Sequence, residues 1–419
     1  MTHVVILGAG FAGLNLAKKL GSTPIRVTVV DRRNHHLFQP MLYQVATAAL
    51  SPGDIASPIR AVLRHHENIE VLLADATRVD VEARTVHLDD GRTLTYDALA
   101  VATGARHSYF GHPEWEAIAP GLKSLEDAFE IRRRILLAFE LAEQEEDPAR
   151  RRALLNFVLV GGGPTGVELA GAIAEIKQYT LRRDFRNIDP KEARVLLVEA
   201  GPRVLAAYPE DLSEKAAKQL RRLGVEVRTD TMVTGISEDT VTAGGDVIET
   251  RTVIWAAGNL ASPLLRSLGA PIDRQGRVIV QPDCSIPGHP EVFVLGDAAN
   301  FAHQTGAPLP GTCPVAIQMG KYVGVVLRRQ ERGITEPRLP FRYFDKGQLA
   351  VIGRGRGVAD LGPAHFAGFL AWLLWIFVHI FFLIGFRNRV IVMIEWAISY
   401  FTYSRGARLI TGEAPSPPA

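Results

Sequence analysis

Cysteine is nearly absent. Among 419 residues only Cys284 and Cys313 occur, far apart and outside any C-x-x-C pattern, so neither a disulfide framework nor a cysteine zinc site is available and a reducing compartment is expected. Charge of one sign is lacking too: 47 Lys and Arg against 45 Asp and Glu leave +2, with no basic block, which excludes an electrostatic nucleic-acid binder. The N-terminus runs from Met1-Thr2-His3 directly into Val4-Val5-Ile6-Leu7. It has no basic n-region or cleavage-type site, so no signal peptide is expected and the main body should stay in the cytoplasm. The length exceeds a single core and implies two or three domains.

One long apolar run is present. Leu361 to Phe386 is 26 residues without Asp, Glu, Lys or Arg, and residues 361–403 hold 12 of the 32 aromatic residues. As one helix this run would reach about 39 Å, enough for a hydrocarbon core of about 30 Å. Before it, residues 1–345 alternate β-branched runs with helix-like stretches, the pattern of a parallel sheet covered by helices, so the class is α/β. Strands are expected at His3–Leu7, Arg26–Val30, Leu99–Ala102, Phe157–Val160, Arg194–Val198, Thr252–Trp255 and Val292–Leu295. The charge-rich stretch 124–152 reads as a solvated helix and connector, and residues 411–419 as a disordered Pro-rich tail.

The segment VVILGAGFAGLNLAKKL recurs in outline as FVLVGGGPTGVELAGAI about 150 residues later, each a strand, a glycine-rich turn and a helix start. In the first, Gly8, Gly10 and Gly13 form G-x-G-x-x-G, and Asp31 ends the next strand 18 residues on. Gly8 permits the tight turn, Gly10 lets the backbone approach a pyrophosphate, Gly13 lets helix pack on strand, and Asp31 can accept from both ribose hydroxyls. In the second, Gly161, Gly163 and Gly166 repeat the pattern and Glu199 is the strand-end acid, 33 residues after Gly166, so residues 177–193 are read as an insertion. A glutamate there repels a 2′-phosphate and favours NAD(H), although Arg203 stands nearby. Two Rossmann-like units call for two dinucleotides, a bound flavin and a diffusible nicotinamide.

GAGFAG, ALAVATGA (98–105) and VFVLGDAAN (292–300) together resemble the two-dinucleotide flavoprotein disulfide reductase superfamily. No cysteine lies in HHLFQPMLYQVATAALSPGDIASPIR, where those reductases carry their redox pair. That region instead resembles the FQPLLYQ-type segment of type II NADH dehydrogenases, the single-subunit NADH:quinone oxidoreductases. GGGPTGVELAG (161–171), LPGTCPVAIQMGKYV (309–323), DKGQLAVIGRGRGVAD (345–360) and WLLWIFVHIFFLIGFRNR (372–389) extend the likeness along the chain.

The resemblance implies an FAD domain at 1–120 and 266–360, an inserted NAD(H) domain at 121–265, and membrane-associating helices at 361–410. Non-covalent FAD falls to Gly8, Gly10, Phe11, Ala12, Gly13, Asp31, Arg32, Val79, Ala102, Thr103, Gly104, Gly296 and Asp297. The substrate NADH falls to Gly161, Gly162, Gly163, Pro164, Thr165, Gly166, Glu199, Ala257 and Gly258. The family's quinone motif A-Q-x-A-x-Q-Q-G is altered here, with Pro314 and Met319 replacing two glutamines; Gln318 keeps the quinone-contacting role, with Gln44, Pro314 and Met319 around it. Glu168 corresponds to a glutamate near nicotinamide and flavin, although the helix dipole alone accounts for a carboxylate there. No metal site is expected: His35-His36 and His65-His66 read as surface residues, Cys284 and Cys313 as small buried hydrophobes, and His379 as an interfacial or packed histidine.

The family's C-terminal helices lie on the membrane without crossing it, so the run at 361–386 is expected to dock on the lipid surface, with Arg387, Arg389, Arg405 and Arg408 at the headgroups. The activity implied is non-proton-pumping reduction of menaquinone or ubiquinone by NADH at the cytoplasmic face of the cell membrane, with a homodimer left open. Two other readings stay open, a soluble ferredoxin or rubredoxin reductase and a membrane-tethered redox-sensing flavoprotein of the apoptosis-inducing-factor type.

Overall fold

The computed structural model describes residues 2–402 and 405–411, which form two compact units. The first comprises residues up to Leu37, Ala56–Arg106 and Asn259–Lys346; the second comprises Phe38–Ile55, His107–Gly258 and the chain from Gly347 onward.

The first unit is built on a six-stranded sheet in the order Ser285–Ile286, His289–Val294, Ala98–Val101, His3–Leu7, Arg26–Asp31, Ile69–Leu73, parallel except for the outermost strand. Val5 pairs with Thr28 on one side and Leu99 on the other. The central strand is buried on both faces, so it reads as an unbroken apolar run rather than an alternation. Helix Phe11–Leu20 follows the first strand, and helix Cys313–Glu331 packs on it. That approach needs glycine, because a Cβ on Gly320 would stand 2.2 Å from the Ala12 carbonyl oxygen and one on Gly324 would stand 2.6 Å from Lys19.

The second unit holds a four-stranded parallel sheet in the order Val225–Arg228, Arg194–Val198, Asn156–Val160, Thr252–Trp255. The strands expected from the sequence are all present, and the α/β class stands. The antiparallel pieces escaped the sequence reading: Ala76–Asp80 with Thr85–Leu88 and Thr93–Thr95 in the first unit, and the three-stranded sheets starting at Val233 and Gln348 in the second. Short strands of mixed polarity carry little periodic signal.

Stretch 124–152 corrects one expectation. Helix Leu125–Gln144 opens with a capping box, Ser124 Oγ accepting from the Asp127 N–H at 3.1 Å and Asp127 accepting from the Ser124 N–H at 2.9 Å. It is not a solvated helix, because Ile131, Ile135 and Phe139 make one face core and Arg132 is buried with its guanidinium over the Phe129 ring. Residues 177–193, read as an insertion, lie between helix Pro164–Glu175 and strand Arg194–Val198 and hold most of the π-helical turn Ile176–Thr180, a loop, and a 3₁₀ turn at Pro190–Glu192.

The long apolar run does not make one helix. Gly362-Pro363 ends one turn, His365–Ala367 is a strand, helix Phe369–Phe382 starts after Gly368 at φ 76°, and Gly385 at φ 91° separates it from helix Phe386–Thr402. Fourteen helical residues reach about 21 Å, well short of a hydrocarbon core. Among the described residues no helix is long and apolar enough to cross a membrane. The first helix leaves Phe369, Leu373, Phe377 and Phe381 exposed on one face and buries Ala371 and Trp375 on the other; the second exposes Ile394, Ile398 and Phe401.

Candidate functional site

The two fingerprints have the same local architecture. Gly8 takes φ 97° and Gly161 takes φ 109°, a left-handed geometry that side chains resist. A Cβ on Gly8 would meet the Ala102 carbonyl oxygen at 2.5 Å, and one on Gly161 would meet the backbone of Ala256 and Ala257 at 2.8 Å. A Cβ on Gly13 would stand 1.8 Å from the Gly8 oxygen, and one on Gly166 would stand 1.9 Å from the Gly161 oxygen. These four glycines are required by the protein itself. Gly10 and Gly163 differ, since a Cβ on either meets nothing within 4 Å. Their missing side chains leave room at helix N-termini, where backbone N–H groups favour a diphosphate.

The strand-end acids match as well. The Ala9 N–H donates to Asp31 Oδ2 at 2.6 Å and the Arg33 N–H to Oδ1 at 2.8 Å. Likewise the Gly162 N–H donates to Glu199 Oε2 at 2.5 Å and the Gly201 N–H to Oε1 at 2.7 Å. Burial pushes the Asp31 carboxyl up despite these bonds. Each acid is thus held beside its own glycine turn. Arg203 is committed elsewhere, its guanidinium donating to the carbonyls of Tyr208 and Ala206 and to Ser213 Oγ.

Of the other residues taken from the resemblance, Ala102 and Thr103 stand against Gly8, Ala12 against Gly296, and Ala257 against Gly161. Asp297 and Gly296 line a polar cavity of the first unit with Gln275, Arg277, Val315 and Met319, and Met319 Sδ accepts the Gly296 N–H at 3.3 Å. Phe11 stands edge-on to His36, Ala12 carries the helix contact described above, Arg32 is exposed, and Gly104 takes φ 66° beside Thr103. Val79 is buried in the small antiparallel sheet with its N–H on Ser267 Oγ. Pro164 and Thr165 open helix Pro164–Glu175, and Gly258 follows Ala257 at φ 72°.

The residues grouped for quinone come from both units. Gln44 and Glu168 line one cavity of the second unit, whereas Pro314, Gln318 and Met319 belong to a helix of the first. Both ends of the Gln318 amide serve the Phe344 backbone, Nε2 donating to its oxygen and Oε1 accepting from its N–H, each at 2.9 Å.

The walls of the second-unit cavity come from several stretches of chain. Tyr43, Gln44 and Thr47 come from the segment 42–49, Glu168, Ala172 and Glu175 from helix Pro164–Glu175, Val351 to Arg354 from a strand end, and Trp372, Trp375, Trp396 and Tyr400 from the C-terminal helices. A Cβ on Gly171 would fall 1.7 Å from the Ile352 oxygen, so glycine there lets helix and strand close the floor. Glu168 is in the second turn of its helix, where desolvation pushes its carboxyl up to about 8 against the opposing pull of the Val351 backbone.

The headgroup reading of Arg405 and the surface reading of His36 are corrected, whereas His379 is packed and Cys284 buried as expected. Arg405 is buried, its guanidinium donating to the Thr47 oxygen at 2.7 Å and reaching Ala172 and Glu175 at 3.3 Å, so it is not a headgroup contact; Arg408 is exposed and pairs with Asp184. Arg389 binds the Leu383 oxygen and Arg387 is exposed. His36 is not at the surface but buried, with Nδ1 on the Ala9 oxygen at 2.9 Å. His379 is packed, stacked on Trp375 at 4.0 Å and bonded to its oxygen, and burial lowers it to about 4. Cys284 is fully buried, and burial beside Asp297 raises Cys313 to about 12.

Sequence reasoning missed Tyr43, Trp375, Trp396 and Arg405 as wall residues. Tyr43 had a signal, since it stands beside Gln44 in the FQPMLYQ segment. The other three come from the far end of the chain, and nothing local marks their partner.

Comparison with known proteins places this architecture. The pyridine nucleotide-disulphide oxidoreductase family matches residues 2–320, and the NDH2 C-terminal domain matches residues 346–405. The chain is 44% identical over 424 residues to the type II NADH:quinone oxidoreductase Ndh of Mycobacterium tuberculosis, covering 98% of this chain and 90% of that protein. Among solved structures, NDH2 from Plasmodium falciparum in complex with NADH aligns with a TM-score of 0.88 at 19% identity, covering 98% of this chain and 100% of the other. The sulfide:quinone oxidoreductase of Aquifex aeolicus shares the fold at a TM-score of 0.74 and 18% identity, covering 93% and 92%. The chain therefore belongs to the pyridine nucleotide-disulphide oxidoreductase family and, within it, to the type II NADH:quinone oxidoreductases.

Proposed function

We propose that this protein oxidises NADH and reduces a membrane quinone through FAD without pumping protons, docked on the inner face of the cell membrane. The carrying observation is the conjunction of two equivalent glycine turns with strand-end acids and a separate cavity where Glu168 is desolvated among tryptophans. The first unit suits FAD: Gly10 leaves space for the diphosphate, Asp31 for the ribose, and Asp297 faces a polar cavity for the ribityl chain. The second suits NADH at Gly163 and Glu199. FAD, when bound, supplies the chemistry of accepting hydride from the nicotinamide and returning two electrons to the quinone. The chain's own residues hold the two dinucleotides, keep a protonated carboxyl at Glu168 below pH 8, and enclose the quinone head in the cavity of Tyr43, Glu168 and Trp375. We further assign FAD binding to the first compact unit and NADH binding to the parallel sheet of the second.

Steady-state NADH oxidation with and without a short-chain quinone tests this reading. The expected result is quinone-dependent turnover with NADPH slower by about tenfold or more, because Glu199 repels a 2′-phosphate and Arg203 is tied to its own loop. Turnover only with added ferredoxin would favour the soluble reductase instead.

The exposed row Phe369, Leu373, Phe377, Phe381 and the row Ile394, Ile398, Phe401 are proposed to enter the lipid interface. Replacing Phe377 and Phe381 by Lys should lower binding to anionic vesicles by about tenfold or more, since each buried aromatic side chain contributes roughly 1.5–3 kcal/mol. Unchanged co-sedimentation would assign docking to another surface.

A further inference from the structure

A hydrogen-bond chain leads from the second C-terminal helix into the cavity. Trp396 Nε1 lies 2.7 Å from Gln44 Oε1, and Gln44 Nε2 lies 2.9 Å from the Tyr43 hydroxyl. All three residues line the cavity, beside Glu168 and Trp375. An indole N–H can only donate, so the Gln44 oxygen has to face Trp396 and the amide NH₂ has to face Tyr43. Amide orientation is thereby set by chemistry rather than by choice. The Tyr43 oxygen then receives the Gln44 hydrogen, and its own O–H is turned away from Gln44. Tyr43 and Gln44 are both more than nine-tenths buried, and the Tyr43 ring stands edge-on to Trp375 at 6.3 Å in the cavity wall. Burial also keeps its proton in place well beyond the physiological range.

We propose that Tyr43 donates its phenolic hydrogen to a carbonyl oxygen of the quinone head group, and that Trp396 is the positioning residue that aims it through Gln44. This rests on reading the cavity as the quinone site. Trp396 shares its helix with the exposed Ile394 and Ile398, so the helix assigned to docking also completes the acceptor pocket. Membrane attachment and recognition of the quinone carbonyl are then two faces of one element.

The test uses flavin-loaded protein with menadione as acceptor. Tyr43→Phe should raise the menadione KM about tenfold and Trp396→Phe about threefold, the range expected for one buried hydrogen bond and for its misalignment. Flavin reduction by NADH and ferricyanide turnover should be unchanged in both. In the double variant the KM should be no higher than in Tyr43→Phe alone, because Trp396 acts only through Tyr43. Either single variant at the parent KM, or effects that multiply, would overturn the proposal. Ser399→Trp, which fills the cavity from the same helix, separates the two levels. If it blocks menadione reduction while Tyr43→Phe does nothing, the cavity assignment stands and the hydrogen bond falls; if menadione reduction survives it, the cavity assignment itself falls.

Discussion

Gly10→Ala should leave the fold as stable as before and abolish retention of flavin, whereas Gly13→Ala should damage the fold first. The two glycines are three residues apart in one motif, yet a Cβ on Gly10 meets no protein atom within 4 Å and one on Gly13 would stand 1.8 Å from the Gly8 oxygen. The second contact is backbone against backbone, so helix Phe11–Leu20 must shift from its strand, at a cost of about 1–3 kcal/mol or more. The first substitution obstructs only a ligand's approach to the turn, and flavin binding should weaken by about a hundredfold on losing close diphosphate contacts. Flavin absorbance after gel filtration and thermal unfolding of the apo-protein measure the two effects. Equal destabilisation by both variants would mean that Gly10 is a packing glycine and that the cradle has been misread.

The second large effect belongs to Glu168. Its carboxyl is raised from 4.5 to about 8 by desolvation, so it is neutral below pH 8 and ionises above. If it holds a proton for the quinone, reduction of menadione should fall along a one-proton limb above pH 8. Glu168→Gln should flatten that limb and slow the step by about 10²-fold, with flavin reduction by NADH spared. The same shift has a stability consequence of definite sign. The folded protein keeps this proton where the unfolded chain has released it, so the contribution is fully present below pH 4.5 and is lost as pH rises to about 8. The apo-protein's Tm should therefore decline across that range, and less steeply in Glu168→Gln. An unaltered pH profile in the variant would place the titrating group elsewhere.

Legibility in the sequence followed the locality of the physics. The glycine turns, their helices and the acids at Asp31 and Glu199 were readable because each role is decided within a strand–turn–helix, and glycine's roles follow from its missing Cβ. The insertion after helix Pro164–Glu175 was readable from the distance between Gly166 and Glu199. What escaped depends on contacts between distant residues. Trp396 meets Gln44 across 352 positions, and Arg405 leaves the expected lipid surface for Thr47 and Glu175, because a buried guanidinium finds its acceptors only once helix and loop are packed. His36 likewise looked polar and exposed beside His35, yet the Ala9 oxygen gives its ring a buried partner. The apolar run at 361–386 was overestimated as a possible single helix for a local reason, since Gly362-Pro363, Gly368 and Gly385 punctuate it.

Electrons from NADH should leave this protein to a quinone rather than to a dithiol or an iron–sulfur protein. Anaerobic stopped-flow mixing of the flavin-loaded protein with NADH, followed by menadione, tests it most directly. The expected result is rapid bleaching of the flavin by NADH and its return with menadione at least as fast as steady-state turnover, with one menadiol formed per NADH. Flavin that bleaches with NADH and stays reduced in excess menadione would contradict it.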